Sequence, residues 1–283
     1  MITFIALGSA FAIAIVTVFL KKLFEQASAR ELAPLSFLQI TLTLAPFSFF
    51  FFKLQLSTYT LLLITAICII DSLSNYYYFK GIELNEVSYF SIFMSLSPIF
   101  TLILVSIFID YVSIKTIFAI ICIIISIYLM NLKNSKNLFE PFCALTINHS
   151  YYGLSYALLT GVSAVLFKLL FSINTTNPPT IFMIRCAFVF CISVILLKPR
   201  WSLITKSVLL QSWLRALFVI ANFLLYLYAI MYGNVVIAIT LVNTYPIFVI
   251  IFSHMLFKEK ITARKLAAIF SVLFFIFILS YTS

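Results

Sequence analysis

The sequence predicts an all-α integral membrane protein with ten transmembrane helices, arranged as two inverted five-helix repeats. Of the 283 residues, 64% are hydrophobic and 9% are charged, whereas a soluble domain has about 45–50% apolar and about 25% charged residues. A water-soluble domain is excluded, because too few polar side chains remain to cover its surface. The apolar runs are continuous, as in residues 102–109 and 117–130, which excludes the alternating pattern of an outer-membrane barrel.

Ten apolar runs approach the roughly 20 residues that a helix needs to cross a bilayer. The predicted spans are residues 2–20, 35–52, 59–79, 86–109, 115–132, 150–171, 180–197, 209–231, 235–257 and 263–281. The longest polar break, residues 131–150, separates five spans from five. We therefore predict a first repeat at 1–132, a connecting loop at 133–149 and a second repeat at 150–283.

A shared motif relates the two halves. Residues 95–100 read Ser-Leu-Ser-Pro-Ile-Phe and residues 243–248 read Asn-Thr-Tyr-Pro-Ile-Phe, and each motif is followed by an acid, Asp110 or Glu259, and a further span. Because five is odd, the second half must cross the membrane in the opposite sense, as in transporters whose site lies at the repeat interface. Pro98 and Pro246 predict kinks, which serve either ordinary packing or a central cavity.

Charge and cysteine usage narrow the function classes. The net charge of +10 comes mostly from short connections between spans, which indicates membrane anchoring and topology and not nucleic-acid binding. The five cysteines form no CxxC pair, so no disulfide framework, metal site or cofactor is predicted. Loops after odd-numbered spans hold most basic residues, and the positive-inside rule places them in the cytoplasm. The loop after the seventh span is counted among them with Lys198, Arg200, Lys206 and Arg215.

Polar residues inside spans are costly and therefore tend to face the bundle interior or a wet cavity. Asp71, Asn75 and Tyr78 share one face of the third span at helical spacing. The Asp71 carboxylate either binds a substrate amine, carries a coupling proton or forms an interhelical lock. Similar faces on spans 4, 6, 8 and 9 complete one predicted chamber. The predicted substrate-binding residues are Asp71, Asn75, Tyr78, Ser95, Tyr156, Ser163, Asn222, Tyr226, Asn243 and Tyr245.

Two basic residues within spans are candidates for a substrate or gating charge. Lys168 lies near the end of the sixth span, where its long stem can alternatively reach the interface. Arg185 lies early in the seventh span. Its guanidinium either binds a substrate carboxylate through two hydrogen bonds or pairs with an acid such as Glu86.

Together these features resemble the EamA-type branch of the drug/metabolite transporter superfamily. The resemblance rests on two five-span halves, the Ser-Pro-Ile-Phe motif with its acidic turn, and Pro178 upstream of Arg185. It implies a ten-helix carrier that works by alternating access without ATP. Members export amino acids or drugs, or carry nucleotide-like metabolites. The sequence departs from the family at Thr41, where Arg is frequent, and at Asp110, where Glu is usual. Members generally keep both termini in the cytoplasm, against the charge count, so orientation stays open.

The favoured function is secondary transport of a small polar metabolite: an amino acid, a nucleoside-like compound or a member of the S-adenosylmethionine class. The predicted partners are that substrate, the lipid bilayer, and a coupling proton or counter-substrate. The cytoplasmic (inner) membrane of a bacterium is the expected location. A channel or scaffold without a transport cycle is the alternative, although it leaves Asp71 unexplained. An enzyme is not expected, since no HExxH or GxSxG motif occurs.

Overall fold

A computed structural model describes residues 1–84, 93–109, 111–131, 151–257 and 262–282. Within these ranges the chain is helical, and the β contact is one isolated antiparallel bridge between Leu54 and Thr176. The predicted all-α class is confirmed for the residues that are described. We number the helices α1 Ile2–Phe24, α2 Ala29–Leu44, α3 Ser48–Phe51, α4 Thr58–Leu84, α5 Ser97–Phe108, α6 Ile114–Asn131, α7 Tyr151–Ser172, α8 Pro178–Leu197, α9 Lys206–Tyr232, α10 Val235–Val242, α11 Tyr245–Phe257 and α12 Ala263–Thr282.

Seven helical segments are long and apolar enough to cross a membrane, which supports the integral-membrane class. They are Ile2–Phe24, Ala29–Phe51, Thr58–Leu84, Tyr151–Ser172, Pro178–Leu197, Lys206–Tyr232 and Val235–Phe252. Two shorter helices, Ser97–Phe108 and Ile114–Met130, are also apolar. Large apolar side chains such as Phe4, Phe49 and Leu210 are exposed, as expected of a surface that faces lipid.

Short polar residues set where several helices begin. Ser28, Asn177 and Thr205 each accept a hydrogen bond from a backbone N–H in the first turn of the helix that follows. Asn234 accepts two such bonds at the start of α10. Side-chain caps of this kind satisfy N–H groups that have no partner inside the helix. They fix the helix starts that carry cavity residues.

The predicted fourth and ninth spans are interrupted at their proline motifs. α10 ends at Val242, residues 243–244 form a turn, and α11 restarts with Pro246 as its second residue. Likewise, a turn at residues 95–96 precedes α5, which has Pro98 in its first turn. Proline lacks an N–H and is tolerated in a first helical turn. The predicted kinks therefore take the form of complete helix breaks.

The helices pair mainly between the two halves. α1 packs on α9, α4 on α7, α2 on α8, and α6 on α12. The α2–α8 pair is antiparallel, because contacts join opposite ends. Arg30 Nε near the start of α2 donates to the Lys198 carbonyl beyond α8 at 2.7 Å, and Asn177 Nδ2 before α8 donates to the Phe51 carbonyl at 2.8 Å.

Candidate functional site

A cavity of about 130 Å³ lies where helices of both halves converge. A buried water needs roughly 10–15 Å³ of such space, so there is room for several waters or one small molecule. Its wall combines polar groups with aromatic and aliphatic side chains from α1, α2, α4, α7, α8, α9 and α10. Residues at both helix breaks, including Ser97 and Asn243, complete the wall.

Most of the predicted site residues line this cavity. They are Asp71, Asn75, Tyr78, Tyr156, Ser163, Arg185, Asn222, Tyr226, Asn243 and Tyr245. Ser95 is buried in the turn before α5 but is not part of the lining. Lys168 also lies outside it. Of the three adjacent tyrosines on α4, only Tyr78 belongs to the lining.

A buried ion pair joins α4 to α8 across the two halves. Arg185 Nε donates to Asp71 Oδ2, and the two residues are only 5% and 4% exposed. The guanidinium carbon of Arg185 also lies 4.0 Å from the ring centroid of Phe223, where a cation is attracted to the ring face. The structure thus gives Arg185 an acidic partner, Asp71, whereas the proposed partner Glu86 lies outside the described residues.

Arg215 belongs to the cavity, and its assignment to a loop was wrong. It lies within α9 and is only 3% exposed. Its Nη1 donates to Ser36 Oγ at 2.9 Å, and the Tyr78 phenol and the Phe79 ring are neighbours of the guanidinium. Within the part of the chain that the structure describes, Arg215 Nε is buried and has no hydrogen-bond partner.

A signal for Arg215 is present in the sequence. Arg215, Asn222 and Tyr226 are spaced at 0, 7 and 11 residues, which places all three on one helix face. Basic residues near span ends usually mark topology, which favours a loop position for Arg215 when this spacing is not considered. The apolar residues Val219 and Phe223 fall on the same face and also line the cavity.

Two asparagines of the cavity wall have their amide donors engaged, Asn222 with another helix and Asn75 within its own helix. Asn222 Nδ2 donates to the carbonyl and the hydroxyl of Ser9 at 3.0 and 2.9 Å, and the Ser9 hydroxyl donates to the Asn222 carbonyl. Asn75 Nδ2 donates to the Asp71 carbonyl one turn earlier at 2.7 Å. These amide donors are therefore satisfied by α1 and α4 themselves.

The two helix breaks meet at the cavity. Asn243 Nδ2 donates to Ser97 Oγ at 3.0 Å, and Tyr245 Oη contacts Met94 Sδ at 3.5 Å. The residues on either side of one break thus contact those of the other. Nearby, α5 approaches α7 closely at Gly161, where a Cβ atom would come within 2.8 Å of Phe100 Cβ.

Aromatic rings supply flat surfaces along the wall. Tyr78 and Tyr156 have ring centroids 5.3 Å apart, and Phe223 and Tyr226 have centroids 5.5 Å apart. Beside them the buried Ser163 hydroxyl has no hydrogen-bond partner among the described residues. In the same part of the chain, no group of three or more His, Cys, Asp or Glu side chains is placed to hold a metal ion.

Lys168 has a local structural contact. Its ammonium donates to the carbonyls of Ile230, Met231 and Gly233 at 3.1, 3.4 and 2.8 Å. These carbonyls lie at and just beyond the end of α9, where the last carbonyl groups of a helix have no N–H partner within the helix. A cation is also favoured there by the helix dipole. We therefore leave Lys168, together with Ser95, out of the site proposed below.

Apolar helices around a central cavity with buried charged groups define a polytopic α-helical membrane protein. The chain belongs to the EamA-like transporter family, whose family model matches residues 1–132 and 150–281. This confirms the resemblance read from the sequence. No curated protein matches the chain. Among solved structures 29 chains match. One, described as "Crystal structure of protein", is 12% identical with a TM-score of 0.75, and the alignment covers 99% of this chain and 96% of that one. At this identity the likeness shows the fold alone.

Proposed function

We propose that the protein is a secondary transporter that moves a small polar metabolite across the membrane by alternating access. The observation that carries the proposal is a cavity between helices of both family-matched halves, whose largely apolar wall holds buried polar and charged groups. Polar and charged groups at this depth are costly and mark substrate paths in membrane proteins. We further propose the cytoplasmic membrane of a bacterium as the location, since proteins that span with apolar helices differ from outer-membrane barrels.

The helix pairing supports two halves of opposite orientation. The first span packs on the eighth, as α1 on α9. Their counterparts in the opposite halves are the sixth and third spans, α7 and α4, and these also pack together. The second and seventh spans, α2 and α8, pair with each other and run antiparallel. An inverted repeat of five spans in each half predicts these relations, and transporters with such repeats hold their substrate between the halves.

The helix breaks are the proposed moving parts. Interrupted helices in transporters supply polar backbone at the substrate site, and the Ser97–Asn243 bond links the two breaks at the cavity wall. We propose that such contacts between halves open on one side of the membrane as those on the other side close. A rocking of one half against the other then exposes the Asp71–Arg185 pair and the neighbouring aromatic rings alternately to the two sides.

Counterflow in liposomes tests the proposed function. The purified chain is reconstituted with a trapped labelled metabolite, and the same unlabelled metabolite is added outside. The panel holds amino acids, nucleosides, S-adenosylmethionine and small monoanions such as lactate and nicotinate. A carrier gives saturable exchange that external substrate accelerates. The variant Ser163→Phe fills the cavity and is expected to abolish exchange, whereas Leu210→Phe on the exposed surface leaves it unchanged.

A channel or a scaffold predicts a different result in the same assay. A channel gives flux that does not saturate and is not accelerated by substrate on the opposite side. A scaffold gives no flux at all. Either result across the panel contradicts the carrier.

A further inference from the structure

We propose that the cavity takes a small metabolite with one net negative charge, whose carboxylate or phosphate group binds Arg215. This inference deepens the proposed transporter and rests on the same cavity. It narrows the substrate classes predicted from the sequence to their anionic members, because neutral nucleosides, zwitterionic amino acids and the cationic S-adenosylmethionine carry no net negative charge.

The charges of the cavity wall do not balance. Two guanidinium groups, Arg185 and Arg215, line the cavity, and Asp71 is the one carboxylate among its described lining residues. Asp71 pairs with Arg185, which leaves Arg215 without a carboxylate partner among the residues that the structure describes. An uncompensated buried charge is strongly unfavourable. A bound monoanion supplies the missing charge, whereas a neutral or cationic ligand does not.

The hydrogen-bonding state of Arg215 supports the same conclusion. One terminal nitrogen is engaged with Ser36, and the guanidinium also lies within hydrogen-bonding reach of the Tyr78 phenol. The buried Nε, however, has no partner among the described residues. The Ser163 hydroxyl, also buried in the cavity wall, has none either. A guanidinium offers donors in a planar fork that matches a carboxylate or phosphate. The wall thus holds donors that an oxyanion would satisfy.

The remainder of the cavity favours a compact, flat ligand. Its volume is about 130 Å³, and an engineered apolar cavity of about 150 Å³ in another protein holds benzene. The rings of Phe79 and Phe223 line the cavity beside the two guanidinium groups, so aromatic surface borders the charged part of the wall. A zwitterion fits less well, because its ammonium would have to compete with Arg185 for Asp71.

Matched pairs of acid and amide test the charge requirement directly. Calorimetric titration of the full chain in lipid nanodiscs is carried out with nicotinate and nicotinamide, with lactate and lactamide, and with inorganic phosphate. We expect at least one acid to bind tenfold or more tightly than its amide, a factor equivalent to about 1.4 kcal/mol. Competition by phosphate then identifies whether the site also accepts phosphate chemistry.

Substitutions then assign the preference to one residue. Arg215→Gln is expected to reduce the acid preference at least tenfold, and Arg215→Lys to retain part of it because the charge remains. Arg200→Gln removes the same charge from an exposed position and is expected to leave binding unchanged. If Arg215→Gln does not fold, a reduced acid preference in Arg215→Lys assigns the residue, because lysine keeps the charge but not the planar fork, and the comparison of acid with amide on the unmodified chain still tests the charge requirement.

The results separate this inference from the proposed function. Equal binding of acids and amides in every pair, including no binding of either, overturns the oxyanion site, even if counterflow with another substrate establishes the carrier. An unchanged preference in Arg215→Gln also overturns it. An acid preference that depends on Arg215 supports the site, even if counterflow is absent and the carrier proposal fails.

Discussion

Removing one charge from the Asp71–Arg185 pair is expected to destabilise the protein strongly. Asp71→Asn leaves the Arg185 guanidinium only 5% exposed and without its carboxylate. Breaking a buried ion pair at one partner costs about 3–5 kcal/mol, because the other charge remains buried and uncompensated. Replacing both residues by apolar side chains of similar size, as in Asp71→Leu with Arg185→Met, removes the two charges together. This double variant is expected to lose less than about 2 kcal/mol.

Thermal unfolding of the purified variants in detergent measures this difference. A loss of about 3–5 kcal/mol lowers the melting temperature on the order of 10 °C in a chain of this size. We expect each single variant, Asp71→Asn and Arg185→Met, to show that shift, and the double variant to recover most of it. Counterflow by Asp71→Asn is expected to fall even where the protein assembles, because both members of the ion pair, Asp71 and Arg185, line the cavity. Single shifts below about 1 kcal/mol, or a double variant as unstable as the two singles combined, would refute the reasoning.

Three further predictions concern helix contacts. Gly161→Ala is expected to lose about 1–3 kcal/mol of stability by overpacking against Phe100. Gly8→Ala is the control, because its Cβ would meet Leu225 at an ordinary 3.4 Å, and it should melt at the temperature of the unmodified protein. Equal melting temperatures for the two variants would contradict the close approach at Gly161. A double-mutant cycle of Ser9→Ala and Asn222→Ala should give a coupling in the free energy of unfolding of about 0.6 kcal/mol, and at most about 1.7 kcal/mol. If the stability losses of the two single variants simply add, the hydrogen bonds between these residues contribute nothing. Lys168→Met should lower the melting temperature, because three carbonyls lose their donor, yet leave the KM of transport unchanged; a raised KM at normal stability would return Lys168 to the site.

Local patterns predicted the helices well, and the exceptions have physical causes. The second span was expected to begin at residue 35, after Pro34, but α2 begins at Ala29. Ser28 caps its first turn, and the helix continues through Pro34, which lies in its second turn and removes one backbone hydrogen bond there. The breaks at Pro98 and Pro246 were expected only as kinks. How far a helix opens at a proline depends on the neighbours that satisfy the freed carbonyls, and the sequence does not specify these.

The site was harder to predict, because helical spacing cannot separate a cavity wall from an interhelical lock. Asn222 serves both, since it lines the cavity while its amide is bonded to Ser9. The Asp71–Arg185 pair joins residues 114 positions apart, a separation at which spacing along the chain carries no information. Arg215 was overlooked because a basic residue near a span end usually indicates topology, and only its shared face with Asn222 and Tyr226 pointed inward.

Access of water-soluble reagents to the cavity tests the central claim most directly. The five natural cysteines are replaced, and Ser163→Cys is exposed to a membrane-impermeant thiol reagent from each side of sealed vesicles in turn. Ser126→Cys serves as the control, since Ser126 contacts Ser271 between α6 and α12 and is absent from the cavity lining. We expect Ser163→Cys to react from both sides, and a transported substrate to slow both reactions. Reaction from neither side, or from one side only under all conditions, would contradict alternating access through this cavity.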